Sequence, residues 1–170
     1  MTLRTVTDFQ IKMYVHLINW KWANLPPSEP GYFRGVAYDA LLPKKLKKQY
    51  YPLYQLIKEM FLNHQQKYPF KSHEFFGHMA SSQAACANLF LPILKDPNTA
   101  AMVLGKVKTD LKKIATDFLD NGFRIEFWDE PDNSLNDHNK LSGTDSDIAI
   151  AYYNCQGLKF VKLIFSVVSG

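Results

Sequence analysis

The chain has 170 residues, 46% apolar and 14% aromatic, which is enough to bury one sizeable core and too apolar for a disordered segment. Net charge is +4, a mild excess compatible with either nucleic acid or protein as partner. The first residues lack an apolar targeting run, and the longest apolar stretches, L-F-L-P-I-L and V-K-L-I-F-S-V-V, are too short to span a bilayer. The expectation is a cytoplasmic chain with no membrane partner. Cys86 and Cys155 fit neither a metal knuckle nor a redox pair and are expected as reduced thiols.

Charge is unevenly spread. From Asp117 to Asp147 nine acids face only Arg124 and Lys140, a local charge of −7, so the rest of the chain carries +11. Such separation suits a protein that holds an anionic polymer on basic surfaces while an acidic pocket gathers a divalent cation. It equally suits ordinary solvated helices and an acidic loop.

In chain order, Asp8 can cap a helix to about Ala23, with Ile11, Tyr14, Val15, Ile18 and Trp22 on one face and Pro26-Pro27 beyond its end. The segment P-P-S-E-P-G-Y-F-R-G-V-A-Y-D reads as an irregular loop, and a helical period returns from about Pro52. Before it, Lys44, Lys45, Lys47 and Lys48 precede Tyr50, Tyr51 and Tyr54. Charge beside aromatic surface is what a nucleic-acid contact needs, and also what a solvated helix start with core tyrosines looks like.

His73, Glu74 and His78 resemble a zinc-protease helix only superficially, because histidines five apart on a helix diverge and cannot converge on one metal. A helix is predicted from Ser81 or Ser82 to Leu91, stopped by Pro92, with Gln83 and Asn88 as substrate contacts or as packing polars that need partners. From Pro97 a second helix or helix pair is expected, with Met102, Val103, Val107, Leu111, Ile114 and Phe118 recurring at threes and fours, and Gly122 as its stop. Lys112 and Lys113, with Lys106 and Lys108, would lie on its outer face.

After Gly122 the period switches to two. Phe123 to Trp128 alternates as a strand, an acidic loop follows, and Ile148, Ile150 and Tyr152 oppose Asp147, Ala149 and Ala151 on a second strand. A turn at Asn154 to Gly157 leads to a third strand over 158–168.

The helix S-S-Q-A-A-C-A-N-L-F-L-P-I-L, a further helix, F-R-I-E-F-W and then G-T-D-S-D-I-A-I-A-Y-Y-N with an apolar strand together resemble restriction-endonuclease-like proteins of the PD-(D/E)XK nuclease superfamily, over roughly residues 75 to 165. The resemblance implies an α/β (α+β) fold: a helical N-terminal two thirds packed on a short C-terminal mixed sheet, with residues 1–72 a helical region and 73–170 the nuclease-like core of one globular unit. It also implies Mg²⁺ as cofactor and double-stranded DNA as partner, with Asp147 matching the first metal-binding aspartate and Asp145 beside it. Lys44, Lys45, Lys47, Lys48, Lys112 and Lys113 would then hold phosphates.

Where the family's next strand reads L-I-E-x-K, this chain reads L-I-F-S-V, so Phe165 and Val167 replace the second carboxylate and the lysine. Neither offers a lone pair or a charge. Glu126 on the neighbouring strand could supply a second carboxylate and Lys159 or Lys162 a cation, although Lys162 falls on the opposite strand face from position 165. Only Ser169 and Gly170 follow, where the family's core continues. The expectation is a shortened endonuclease domain with an incomplete hydrolytic set, pairing as a homodimer through the apolar edge at 161–168. The alternative is a non-catalytic DNA-binding or protein-interaction module on the same fold.

Overall fold

The computed structural model describes residues 7–25, 29–70, 72–127 and 146–163. Helix α1 (Asp8–Asn24) is capped one residue before the expected cap: Thr7 accepts from the Gln10 amide while the Gln10 side chain accepts from the Thr7 amide. Asp8 becomes the first helical residue instead, where its charge favours the positive helix end. The expected apolar face is poorly covered, since Ile11 and Val15 remain exposed. What anchors α1 is Lys21, wholly buried, whose Nζ donates to the carbonyls of Asp39 and Leu41, both at 2.8 Å. Burial pushes its ammonium down from the usual lysine value, and Asp39 and Glu29 pull the other way.

The expected loop contains a hairpin, β1 (Gly31–Phe33) with β2 (Val36–Tyr38). Its two turn residues, Arg34 and Gly35, both have positive φ, the geometry that matches strand twist in a tight turn. A short helix α2 (Lys44–Lys48) and then α3 (Gln55–Lys67) follow.

Helix α4 (Ser82–Leu94) begins at the Ser81 cap and runs through Pro92 instead of stopping there. Pro92 is exposed and forfeits one amide near the helix end, whereas Leu91 and Leu94 bury their side chains and hold the last turn in the core. Helix α5 (Pro97–Leu104), capped by Asp96, is far shorter than the periodicity suggested. Beyond Gly105 the chain turns, and residues that kept a helical spacing enter β3 (Lys113–Ile114). Gly122 ends no helix. It has φ +96°, and a Cβ there would sit 2.3 Å from Ile114 Cγ2, so only glycine fits this turn.

Strands β4 (Phe123–Phe127), β5 (Ser146–Asn154) and β6 (Gly157–Leu163) complete the fold. The expected mixed sheet is antiparallel at every pairing among the described residues. Strand β5 is its centre. Along one edge lie β4, paired to 146–150, and β3, paired to 152–153, end to end; β6 takes the other edge. Helices α3 and α4 cover one face, where Ile57, Phe61, Ala87 and Leu91 join Ile125, Ile148 and Ile150 in the main core. That core draws on both sides of position 72. No helix among the described residues is long and apolar enough to cross a membrane.

Candidate functional site

Alternation along β5 sorts its side chains. Ile148, Ile150 and Tyr152 enter the helix-covered core, so Asp147, Ala149, Ala151 and Tyr153 belong to the other face, with Asp147 half-buried at the strand's start. The β4–β5 register pairs Ile125 with Ile148 and Phe127 with Ser146. The residues between, Glu126 and Asp147, therefore occupy facing positions on adjacent strands. The next row carries Arg124 against Ala149 on one side and Lys162 against Ala149 on the other. By register alone, two acidic residues thus stand in the row next to two basic ones.

This row changes the reading of Lys162. Its place opposite position 165 had argued against it, yet the register sets it on the same side of the sheet as Asp147, whereas Val161 and Leu163 oppose the core residues Ile150 and Ile148. Lys159 pairs with Tyr152. Asp145, Phe165 and Val167 lie outside the described residues. Arg124 had no functional sign in the sequence beyond its place in an alternating strand. Its guanidinium lies 4.0 Å from the centre of the Tyr68 ring.

Among the described residues no three His, Cys, Asp or Glu side chains converge as a metal cage. Asp and Glu at facing strand positions are nevertheless residue types that suit Mg²⁺, which commonly takes one or two carboxylates and fills its remaining positions with water and phosphate oxygens. The expected histidine divergence is seen differently: neither residue is helical, His73 lying in irregular chain and His78 in an isolated bridge to Leu41, with each Nδ1 accepting from an amide two residues on, Phe75 and Ala80, at 3.1 Å.

The lysines divide. Lys44, Lys45 and Lys48 are exposed on α2, whereas Lys47 donates to the Glu74 carbonyl and packs on Gly77. Lys112 and Lys113 lie at the sheet's far end, not on a helix face. The Lys112 amide donates to the Tyr153 carbonyl at 2.9 Å, and the Lys113 ammonium sits 5.6 Å from the Tyr153 ring centre. Tyr153 in turn donates to Asp117 at 2.7 Å, which holds that carboxyl below its usual range. Of the three tyrosines, Tyr50 packs against Phe61 and Phe76, while Tyr51 and Tyr54 are exposed.

Gln83 is buried in α4. Its Oε1 accepts from the His73 amide at 3.1 Å, and its Nε2 has no hydrogen-bond partner among the described residues. Asn88 is a brace: Oδ1 accepts from the Tyr54 amide at 2.7 Å and Nδ2 donates to the Pro52 carbonyl at 2.8 Å.

Sequence reasoning passed over His64. It is buried on α3, stacked on Phe123, and its Nε2 accepts from the Ile125 amide of β4 at 3.1 Å. An Nε2 that accepts carries no proton, so the proton of the neutral ring sits on Nδ1, 3.2 Å from an Asp120 carboxylate oxygen. The same carboxylate takes the Lys67 ammonium at 2.6 Å. Burial, the largest influence, lowers the His64 pKa against the pull of Asp120. Nε2 is committed to β4, while Nδ1 approaches Asp120 without hydrogen-bond geometry, which makes His64 a structural tie between α3 and β4. No protein-family model, curated protein or solved structure matches this chain.

Proposed function

We propose that this chain is a DNA-binding domain of the PD-(D/E)XK endonuclease kind, in which Asp147 and Glu126 hold Mg²⁺ while the remainder of the hydrolytic set is incomplete. The observation that carries this reading is the register that sets Glu126 against Asp147, with Arg124 and Lys162 in the adjacent row. Two carboxylates directly across a sheet repel one another, and a bound divalent cation turns that repulsion into attraction. Bound Mg²⁺ would supply charge neutralisation at a phosphate. Arg124 and Lys162 would orient the phosphate. The exposed lysines of α2, with Lys112 and Lys113, would hold neighbouring stretches of the polymer and confer strong salt dependence. Phe165 and Val167, in place of the carboxylate and lysine that the resemblance calls for, support weak or absent cleavage.

Three measurements on the native chain, Asp147→Asn and Glu126→Gln test this. Calorimetry with Mn²⁺ or Mg²⁺ should give binding that either substitution weakens at least tenfold. Duplex affinity should fall steeply between low and moderate salt, and a plasmid should stay uncut with either metal. Affinity indifferent to salt would remove the DNA reading, and metal binding indifferent to both substitutions would remove the site. Cleavage lost in Asp147→Asn would show that the catalytic set is complete.

A further inference from the structure

Between α1, the α2–α3 connection and the start of α4 lies an open groove of about 780 Å³. Its walls include three exposed aromatic rings, Trp20, Tyr51 and Tyr54, with exposures of 46%, 44% and 65%. Its floor is set by small side chains, Ala84 and Ala85 of α4, and Lys58 of α3 lies at its side. The exposed Lys44, Lys45 and Lys48 immediately precede Gln49 at the rim.

The wall is held in shape. Tyr50 adopts φ +57°, a conformation costly for a bulky residue, while its ring is fixed against Phe61 and Phe76. The Asn88 side chain fixes the backbone on either side of Leu53. Tyr51 and Tyr54 expose their rings to solvent at the groove wall on this braced backbone.

We infer that this groove binds single-stranded nucleic acid, with unpaired bases stacked on Tyr51, Tyr54 and Trp20 and the phosphates met by Lys58 and the lysines of α2. The inference rests on the nucleic-acid reading above and deepens it. Aromatic faces can be used by bases that are splayed out, whereas a duplex keeps its base faces stacked inside and offers a wall only phosphates and edges. Ring faces with Lys58 among them and the exposed lysines of α2 just before them in the chain are the combination that tracks a single strand without reading its sequence. A proline-rich peptide also docks on aromatic grooves, but it makes no use of Lys58 or of the exposed lysines of α2 that precede the groove in the chain.

Anisotropy with labelled dT12, a duplex of the same length and a labelled proline-rich peptide tests the inference, using the native chain, Tyr54→Ala, Lys58→Ala and Lys95→Ala. The hydrogen bonds of Tyr54 in the fold are made by its backbone, the amide to Asn88 and the carbonyl from Ile57 and Lys58, so its substitution leaves the brace intact, and thermal melting checks that each variant folds. The expected result is a preference for dT12 that Tyr54→Ala lowers roughly 5- to 100-fold with little change in duplex affinity. Lys58→Ala lowers dT12 affinity and its salt slope, and Lys95→Ala, an exposed lysine outside the groove, leaves dT12 nearly unchanged. Equal affinity for both nucleic acids, unmoved by Tyr54→Ala in a folded variant, overturns the groove assignment and leaves the DNA-binding reading standing. Peptide binding that is lost in Tyr54→Ala, with no dT12 binding, overturns it in favour of a protein partner. Loss of all nucleic-acid binding in the native chain overturns both.

Discussion

His64 shows how one side chain can join two elements and carry a pH signature. Its acceptor nitrogen satisfies the Ile125 amide, a buried donor that would otherwise be orphaned, and its donor nitrogen faces Asp120. Protonation would place a second N–H against that amide, so the folded state disfavours the charged ring even though Asp120 favours it. Arg124 and Lys67 push in the same direction as burial. His78 is lowered too, by burial alone. A histidine whose folded pKa lies below the ordinary 6.5 binds fewer protons folded than unfolded, so its contribution is complete above that value and is lost as pH falls from it through the lowered one. Urea midpoints should therefore be flat above pH 7 and drop by pH 5, before the lowered carboxylates Asp96, Asp110 and Asp117 begin to titrate. Equal midpoints at pH 5 and 8 would contradict this account. His64→Leu should cost about 1–3 kcal/mol at pH 8, because it leaves a buried amide unpaired, and should flatten the pH slope.

At the scale of the element, what was legible depended on whether the deciding partner was local. The strands β4 and β5 announced themselves by alternation, and the start of α4 by its serine cap. Helix α5 was overextended because Leu111 and Ile114 keep a helical spacing, whereas the segment's amides and carbonyls go to β5, some forty residues away, which no local window contains. The β1–β2 hairpin has strands of three residues, too short to show a period. Pro92 was read as a stop because its missing amide is a local cost, while the burial of Leu94 that outweighs it is tertiary. That balance gives a prediction. In Pro92→Ala the restored N–H can donate to the Asn88 carbonyl and the ring's clash is relieved, a helix gain of up to about 3 kcal/mol, less at a helix end. The more flexible unfolded chain offsets about 0.4–1 kcal/mol of it. Thermal melting should show a net stabilisation of roughly 1–2 kcal/mol, and a variant less stable than the native chain would mean that the last turn depends on the proline.

In the whole molecule, the candidate metal pair and the aromatic groove sit on different parts of one framework: the first on the sheet face away from the helices, the second among α1, α3 and α4. Asp147 was readable in the sequence. So was Glu126 as a candidate second carboxylate on the neighbouring strand; that the two occupy facing positions, and that Lys162 falls in the next row on the same side, required the register. The register also identifies the edge at which a second copy would add. Ala151 spends its N–H on Gly122 and its carbonyl on Ala115, both on the β4 and β3 side, so its facing partner Phe160 must direct its own N–H and carbonyl away from β5. Among the described residues β6 pairs only with β5, and Phe160 is 49% exposed on it. Strand addition there would bury that ring and join two sheets into one. The expected outcome in sedimentation velocity is a concentration-dependent dimer for the native chain and a monomer for Phe160→Pro, since proline at an outward-facing edge position removes only the N–H that a second strand would use. Phe160→Ala separates the two contributions: it retains the edge amide and should weaken the dimer without abolishing it. A native chain that stays monomeric at the highest concentration, or a Phe160→Pro variant that dimerises as well as the native chain, would exclude pairing through this edge.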